Sequence, residues 1–345
     1  MTQTHDPDPD VRTGTPAAPG RPSARSLPPA RLQLVLAGLW VLDGLLRLQP
    51  YMFRKDFALQ TLLPAATDNP GWIATPVTWA ATIVEHHPAT ANTLFALIQL
   101  ALGAGIALRR TRGAALACSG VWAAAIWFFG QGLGGLATGQ ANPLCGAPGS
   151  AALYVLAAIL LMPARGAGPA TPPFPAAARY GPDAARWMWS GLWLMLAYLT
   201  LLPVNRADGA FSGAMNDGTM AAGGQPSWLT ALDGWAADAV GGDDLAVAIV
   251  LTVLLLLIAL SVWAPNPGVR RAGLSTAILL AAAYWVVGQG FGMPFAGHAC
   301  DPGTAPLLVL LAAAFWPAAR ARRAVPATPA TPLGAAATIS RAGVA

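Results

Sequence analysis

Two glutamines, each set between glycines at the end of an apolar run, are the first residues in this chain whose type and setting invite chemistry. Gln131 lies in Trp127-Phe128-Phe129-Gly130-Gln131-Gly132-Leu133-Gly134, and Gln289 in Trp285-Val286-Val287-Gly288-Gln289-Gly290-Phe291-Gly292. A carboxamide brings two donors and an acceptor. Gly130, Gly132, Gly288 and Gly290 let the backbone approach closely and take φ/ψ values closed to other residues. Each stretch therefore offers a hydrogen-bonding site for a small polar solute, or a clamp in which the glutamine bonds across packed helices. Recurrence over so many positions marks an internal repeat.

Each stretch leads into a Gly/Pro-rich loop with one cysteine, Cys145 in the first and Cys300 in the second. Equivalent outer loops allow either a disulfide between the halves or two separate thiols; Cys118, inside an apolar run, reads as a small packing residue. Met293, His298, Cys300 and Asp301 supply soft and borderline ligand atoms of the kind that hold Cu(I) or Zn(II). The first half places Gln140, Asn142 and Cys145 there instead. His86 and His87 cannot share a helix face, and no H-x-x-H or C-x-x-C spacing occurs. Solvated loop side chains are thus the competing reading. Asp43 and Arg47 are the one opposite-charge pair well inside an apolar run. Four apart on a helix they can meet, as an internal ion pair or as a ligand anchor or proton relay. Nothing matches a nucleophile elbow, a phosphate loop or a dinucleotide fingerprint, since Gly130 to Gly134 end an apolar run and follow no strand. The residues point away from an enzyme and name no cofactor.

The elements that must position these residues follow from composition. The chain has 345 residues, 55% hydrophobic and 10% charged, whereas a soluble domain is roughly 25% charged. Its apolar runs lie near Leu32–Leu48, Ala89–Leu108, Gly113–Gly130 and Ser150–Met162, then near Trp187–Leu202, Leu245–Ala264, Ala272–Gly288 and Thr304–Trp316. They predict an all-α polytopic membrane protein of about eight transmembrane helices, with the lipid bilayer as its first partner. The net charge of +5 comes from arginines at run ends, with no basic patch interleaved with aromatics, which excludes nucleic acid. Three cysteines make no disulfide framework.

Residues 1–30, without an apolar run, read as a disordered cytoplasmic tail and not a signal peptide. Residues 31–163 and 187–319 read as two four-helix membrane repeats, 164–186 as a cytoplasmic linker and 320–345 as a second disordered tail. Arginines cluster in the tails, in the linker, at Arg109–Arg112 and at Arg270-Arg271. The positive-inside rule then puts both termini in the cytoplasm of a bacterial cell and the Gln-Gly and cysteine loops outside the plasma membrane. Other features recur too: Gly38-Leu39-Trp40 with Pro50 as Gly191-Leu192-Trp193 with Pro203, and Trp72 and Trp79 as Trp228 and Trp235. An even number of spans per half makes the repeats parallel, related by a pseudo-twofold axis along the membrane normal. The fourth and eighth runs are shorter than the ~20 residues a spanning helix needs. Their Gly/Pro loops are therefore expected to dip inward, the usual pointer to a solute site between halves. Most tryptophans fall at run ends, as an interfacial belt requires, with the heptad pairs anchoring interfacial helices. An aromatic cage for a quinone is a further candidate.

The half-chain plan resembles the DoxX-type four-helix bacterial membrane family. The features are a first span with Gly44 and Arg47, a long outer stretch, a second span ending in Leu102-Gly103-Ala104-Gly105, and a basic turn from Arg109 to Arg112 before Ala114-Ala115. The resemblance covers roughly residues 32–165; in the second half Leu260-Ser261 replaces Leu-Gly and Arg47 has no counterpart. It implies a tandem DoxX-like protein linked to membrane redox and to thiol or quinone metabolism, with no catalytic residues carried over. Three roles are therefore in play: binding or moving a small solute between the halves, a redox or assembly factor using Cys145 and Cys300, and a structural subunit of an envelope complex. The first requires an outward cavity between Gln131 and Gln289.

Overall fold

Every regular element in the computed structural model is helical, over the residues it describes, 27–164, 172–220 and 225–317. The expected tails fall almost wholly, and the linker partly, outside these residues. The first half holds α1 (Pro29–Leu46), a single turn α2 (Lys55–Phe57) running into a π turn (Ala58–Leu62), α3 (Gly71–His86), α4 (Pro88–Ala107), α5 (Arg112–Ala125) with a π turn (Ile126–Gly130), and α6 (Ser150–Leu160). The second holds α7 (Pro182–Thr200), α8 (Ala210–Met220), α9 (Ser227–Val240), α10 (Asp244–Ser261), α11 (Pro267–Val287) and α12 (Ala305–Ala314).

Local chemistry sets several of these ends. Proline opens α1, α4, α7 and α11 at the first helical position, where its missing N–H would have lacked a partner anyway. Asn266 caps α11 by accepting from Gly268 N at 2.7 Å. In the basic turn after α4, Arg112 Nε and Nη2 donate to the carbonyls of Ile106 and Ala107 at 2.8 and 3.0 Å, satisfying orphaned C=O groups at the helix end. Helix α7 starts five residues before the expected boundary of Trp187, because Asp183 and Arg186 pair at 2.9 Å in its first turn. That segment, expected as linker, is helix.

A helix stands at each of the eight apolar runs. Pro29–Leu46, Pro88–Ala107, Arg112–Gly130 and Asp244–Ser261 are long and apolar enough to cross a membrane. Ser150–Leu160 and Ala305–Ala314 are apolar but only 11 and 10 residues long. Trp72 and Trp79 on α3, and Trp228 and Trp235 on α9, are all more than half exposed.

Helix α1 packs chiefly on α4 and α7 on α10, α5 packs on α6 and α11 on α12, and α6 meets α12. Buried positions recur in step. Asn92, Ala96, Gln99, Leu102 and Gly103 of α4 are buried, as are Ala248, Thr252, Leu255, Ile258 and Ala259 of α10. Leu116, Ser119 and Ala123 of α5 match Leu274, Ala277 and Ala281 of α11; Leu153, Ala157 and Ala158 of α6 match Leu307, Leu311 and Ala312 of α12.

The α1–α4 contact depends on small residues, which let helix backbones approach. A β-carbon on Gly103 would lie 2.6 Å from Val41 Cγ2 and 2.8 Å from the Ala37 carbonyl oxygen, whereas Gly38 has open space around it. Gly103→Val therefore lowers stability by about 1–3 kcal/mol, the usual cost of overpacking. Gly38→Ala leaves it unchanged or raises it by up to about 1 kcal/mol. Unfolding curves of the purified proteins in detergent measure both.

Candidate functional site

The two Gln-Gly stretches fold alike. The glutamines that follow α5 and α11 leave helical geometry, with φ/ψ of −116°/3° at Gln131 and −123°/0° at Gln289. Gly132 and Gly290 follow at φ 51° and 47°, and Leu133 and Phe291 at 57° and 60°. A β-carbon on Gly134 would strike the backbone of Pro148, and one on Gly292 that of Pro302. Glycine is thus required where the turn presses on the loop that leads into α6 or α12. That loop is pinned by tryptophan: Trp127 Nε1 donates to Pro148 O and Trp285 Nε1 to Pro302 O, each at 2.7 Å.

The glutamine side chains reach the starts of the short helices. Gln131 Nε2 donates to Ser150 Oγ at 3.0 Å, and its Oε1 accepts from Ala151 N at 3.4 Å. Gln289 Nε2 donates to Thr304 Oγ1 at 2.9 Å, and its Oε1 accepts from Thr304 N at 2.9 Å. The first N–H groups of a helix have no partner within it. Here a glutamine from the preceding helix serves as a remote N-cap for α6 and for α12. The glutamines thus act as clamps while also facing a cavity.

The cysteine-bearing loops cross between the halves. Gln49, just after α1, donates through Nε2 to its own helix end at Leu46 O and to Ala299 O of the second-half loop, both at 2.9 Å. Asn205, after α7, donates through Nδ2 to Leu199 O at 2.8 Å and to Ala141 O of the first-half loop at 2.7 Å. The two crossings mirror each other. A third link has no mirror: Ser150 Oγ donates to Asp301 Oδ2 at 2.8 Å, while Asp301 Oδ1 accepts from Gly303 N at 2.8 Å.

Between the crossed loops lies a cavity of about 640 Å³. Its wall brings together Gln131, Cys145, Gly146 and Ser150 from one half with Gly288, Gln289, Met293, His298, Cys300, Asp301 and Thr304 from the other, and Gln60 and Thr61 border it. Gly130, Gly132 and Gly290 do not line it. Its polar groups suit a small hydrogen-bonding occupant.

Met293, His298, Cys300 and Asp301 share this wall. His298 Nδ1 donates to Ala296 O at 3.0 Å, the Cys300 thiol points at His298 O at 3.8 Å, and both Asp301 oxygens are engaged. Among the described residues no three His, Cys, Asp or Glu side chains are placed to hold a metal ion. Local turns aim these side chains at nearby backbone, which ligand type alone does not reveal. Cys145 is exposed and Cys300 partly buried, and no disulfide joins them. Burial pushes the Cys300 thiol above an ordinary cysteine; nearby Arg47 pulls it down, and Asp301 and Asp43 push it up.

Asp43 and Arg47 are both buried, but neither a hydrogen bond nor an ion pair joins them. The Asp43 carboxyl lies by the Tyr154 hydroxyl, without hydrogen-bond geometry, and within electrostatic range of Asp301. Arg47 instead sets Nη1 4.0 Å from Met52 Sδ and its guanidinium 5.0 Å from the centre of the Phe57 ring. A separation of four residues permits contact on a helix; side-chain surroundings decided against it.

Gln289→Leu, which leaves the buried Thr304 N–H without its acceptor, costs about 1–3 kcal/mol of stability. Gln131→Leu costs less, because its bond to Ala151 N is 3.4 Å long and its surroundings are wetter. Denaturation in detergent ranks the two. A hydrophilic maleimide at neutral pH labels Cys145 well before Cys300. Because the Cys300 pKa is raised, its thiolate is scarce at neutral pH, and its labelling rate keeps climbing as the pH is raised above neutral. Equal rates at neutral pH, or a Cys300 rate that does not rise with pH, by peptide mass spectrometry would contradict this placement.

No protein-family model, no curated protein and no solved structure matches this chain.

Proposed function

We propose that the chain is a multi-pass protein of a bacterial cell membrane whose eight helices span the bilayer as two parallel four-helix repeats, and that it binds a small polar solute between them. The cavity of about 640 Å³ walled by both Gln-Gly loops carries this reading. The matched burial patterns and the mirrored Gln49 and Asn205 bonds support the pseudo-twofold relation. A tandem DoxX-like architecture fits the close seat of Gly103 on α1. Movement of the solute across the membrane belongs to the same reading. Its support is the pair of short helices, each entered through non-helical backbone in matching positions, the arrangement that transporters use.

Both termini and the arginine turns face the cytoplasm in this reading, and the cavity opens outward. Cys145 in intact cells then reacts with a membrane-impermeant maleimide; reaction only after lysis would reverse the orientation. For binding, a panel of small polar solutes is screened by thermal stabilisation of the purified protein. A solute at about 100 times its dissociation constant stabilises by about 2.7 kcal/mol. Gln60→Trp, an exposed residue at the cavity wall, removes that stabilisation without lowering the melting point of the empty protein. A hit that Gln60→Trp leaves intact sinks the assignment to this cavity.

The second reading, a thiol redox or assembly factor with a quinone as its oxidant, is favoured by one observation: Cys145 and Cys300 line the same wall. It requires the two thiols to join, losing two protons and two electrons. Intact-mass spectrometry after mild oxidation separates the readings.

A further inference from the structure

A second, smaller pocket lies in the first half, enclosed by α1, α3, α4, α5 and the two π turns. Its volume is about 180 Å³ and its wall is almost wholly apolar. Three polar side chains interrupt that wall: Arg47, Gln99 and Trp122. Arg47 is 8% and Gln99 2% exposed. Arg47 Nε, the Gln99 side-chain oxygen and Trp122 Nε1 are all buried without a hydrogen-bond partner in the protein. A guanidinium keeps its charge at physiological pH, and a buried charge is stable only when paired. Arg47 meets a thioether and a ring face instead, and the Asp43 carboxyl, although within electrostatic range, makes neither a hydrogen bond nor an ion pair with it.

The second half provides an internal comparison. It has a pocket of about 300 Å³ at the corresponding place, where Val240, Leu280 and Val287 stand for Val84, Trp122 and Phe129. That pocket is lined by no charged side chain. Helix α11 also stays regular to Val287, whereas α5 ends in the π turn that places Ile126, Phe129 and Gly130 on the pocket wall. Such π turns recur at functional sites. The same scaffold therefore carries two pockets, and only the first holds a cation with unpartnered donors.

We propose that the first-half pocket seats the carboxylate of a single-chain fatty acid taken from the bilayer, with Arg47 as its counter-ion. Trp122 Nε1 and the Gln99 amide, in whichever orientation its oxygen and nitrogen adopt, complete the head-group seat. The chain leaves past Phe129, which at 38% is the most exposed lining residue and packs 6.4 Å from Trp79, itself 62% exposed. This exit is aromatic and lies on an apolar surface, so the occupant enters from lipid and not from water. A space of about 180 Å³ holds a carboxylate and the first carbons of one chain, which favours a fatty acid over the bulkier head group of a two-chain phospholipid.

The test uses the full-length protein in nanodiscs with a photoreactive palmitate, competed by palmitate, hexadecanol or phosphatidylglycerol. Palmitate competes at least about tenfold better than hexadecanol, the margin expected of hydrogen bonds to a charged group. Cross-links fall on α3 and α5 and not around Leu280. Arg47→Gln abolishes the preference for palmitate over hexadecanol. Should that variant fold poorly, Ala80→Trp fills the pocket from α3 and blocks cross-linking, while Ala236→Trp in the second-half pocket leaves it unchanged. Equal competition by hexadecanol, stronger competition by phosphatidylglycerol, or cross-links centred on the second-half pocket would overturn the proposal.

Discussion

The N-terminal N–H groups of a helix that starts inside an apolar protein need acceptors from elsewhere in the chain, and the rest of this fold is arranged around meeting that need twice. Helices α6 and α12 begin in the interior, so water is not a ready partner for their first turns. Gln131 and Gln289 provide the acceptors. Delivering a carboxamide there requires the chain to turn out of α5 and α11 through left-handed backbone, and the next loop to return close enough to be pinned by Trp127 and Trp285. The glycines follow from that closeness. The cavity follows too, because two loops that must run back to interior helix starts cannot fill the space between them.

Mirrored bonding then ties the halves together. An amide at the end of α1 holds the second-half loop, and an amide at the end of α7 holds the first-half loop. Each also satisfies a terminal carbonyl of its own helix, Leu46 or Leu199. One side chain thus ends a helix and fixes a crossing, so the helix ends and the loop positions depend on each other.

Much of this was legible in the sequence, and the parts that were not share a cause. Apolar runs located the eight helices, and tryptophan spacing located α3 and α9. The motif W-x-x-G-Q-G identified two equivalent turns, because glycine at forced backbone positions leaves a mark that alignment of the halves finds. Gln49 and Asn205 escaped that alignment: Gln49 precedes Pro50 and Asn205 follows Pro203, so equivalent bonds come from residues that do not line up. The Ser150–Asp301 bond escaped because Asp301 has alanine, Ala147, at the matching place. The π turns carry no signature in residue type. Side-chain direction was the remaining gap. It decided that Asp43 and Arg47 look to different neighbours, and that His298 and Cys300 bond to nearby carbonyls.

The two halves differ wherever the bonds they have in common do not reach. The clamps, crossings and buried small residues are what both halves keep. The ionisable groups are what they do not: Asp43, Arg47 and Asp301 stand where the corresponding positions of the other half hold Leu196, Thr200 and Ala147. Arg47 stands on the wall of the apolar pocket and within electrostatic range of Cys300 on the wall of the polar one. Charge that binds or leaves at Arg47 therefore changes the field at Cys300, and through it the thiol whose burial already disfavours the thiolate. The shared bonds hold the two halves together; the few positions where the halves differ are where specific chemistry has to be sought.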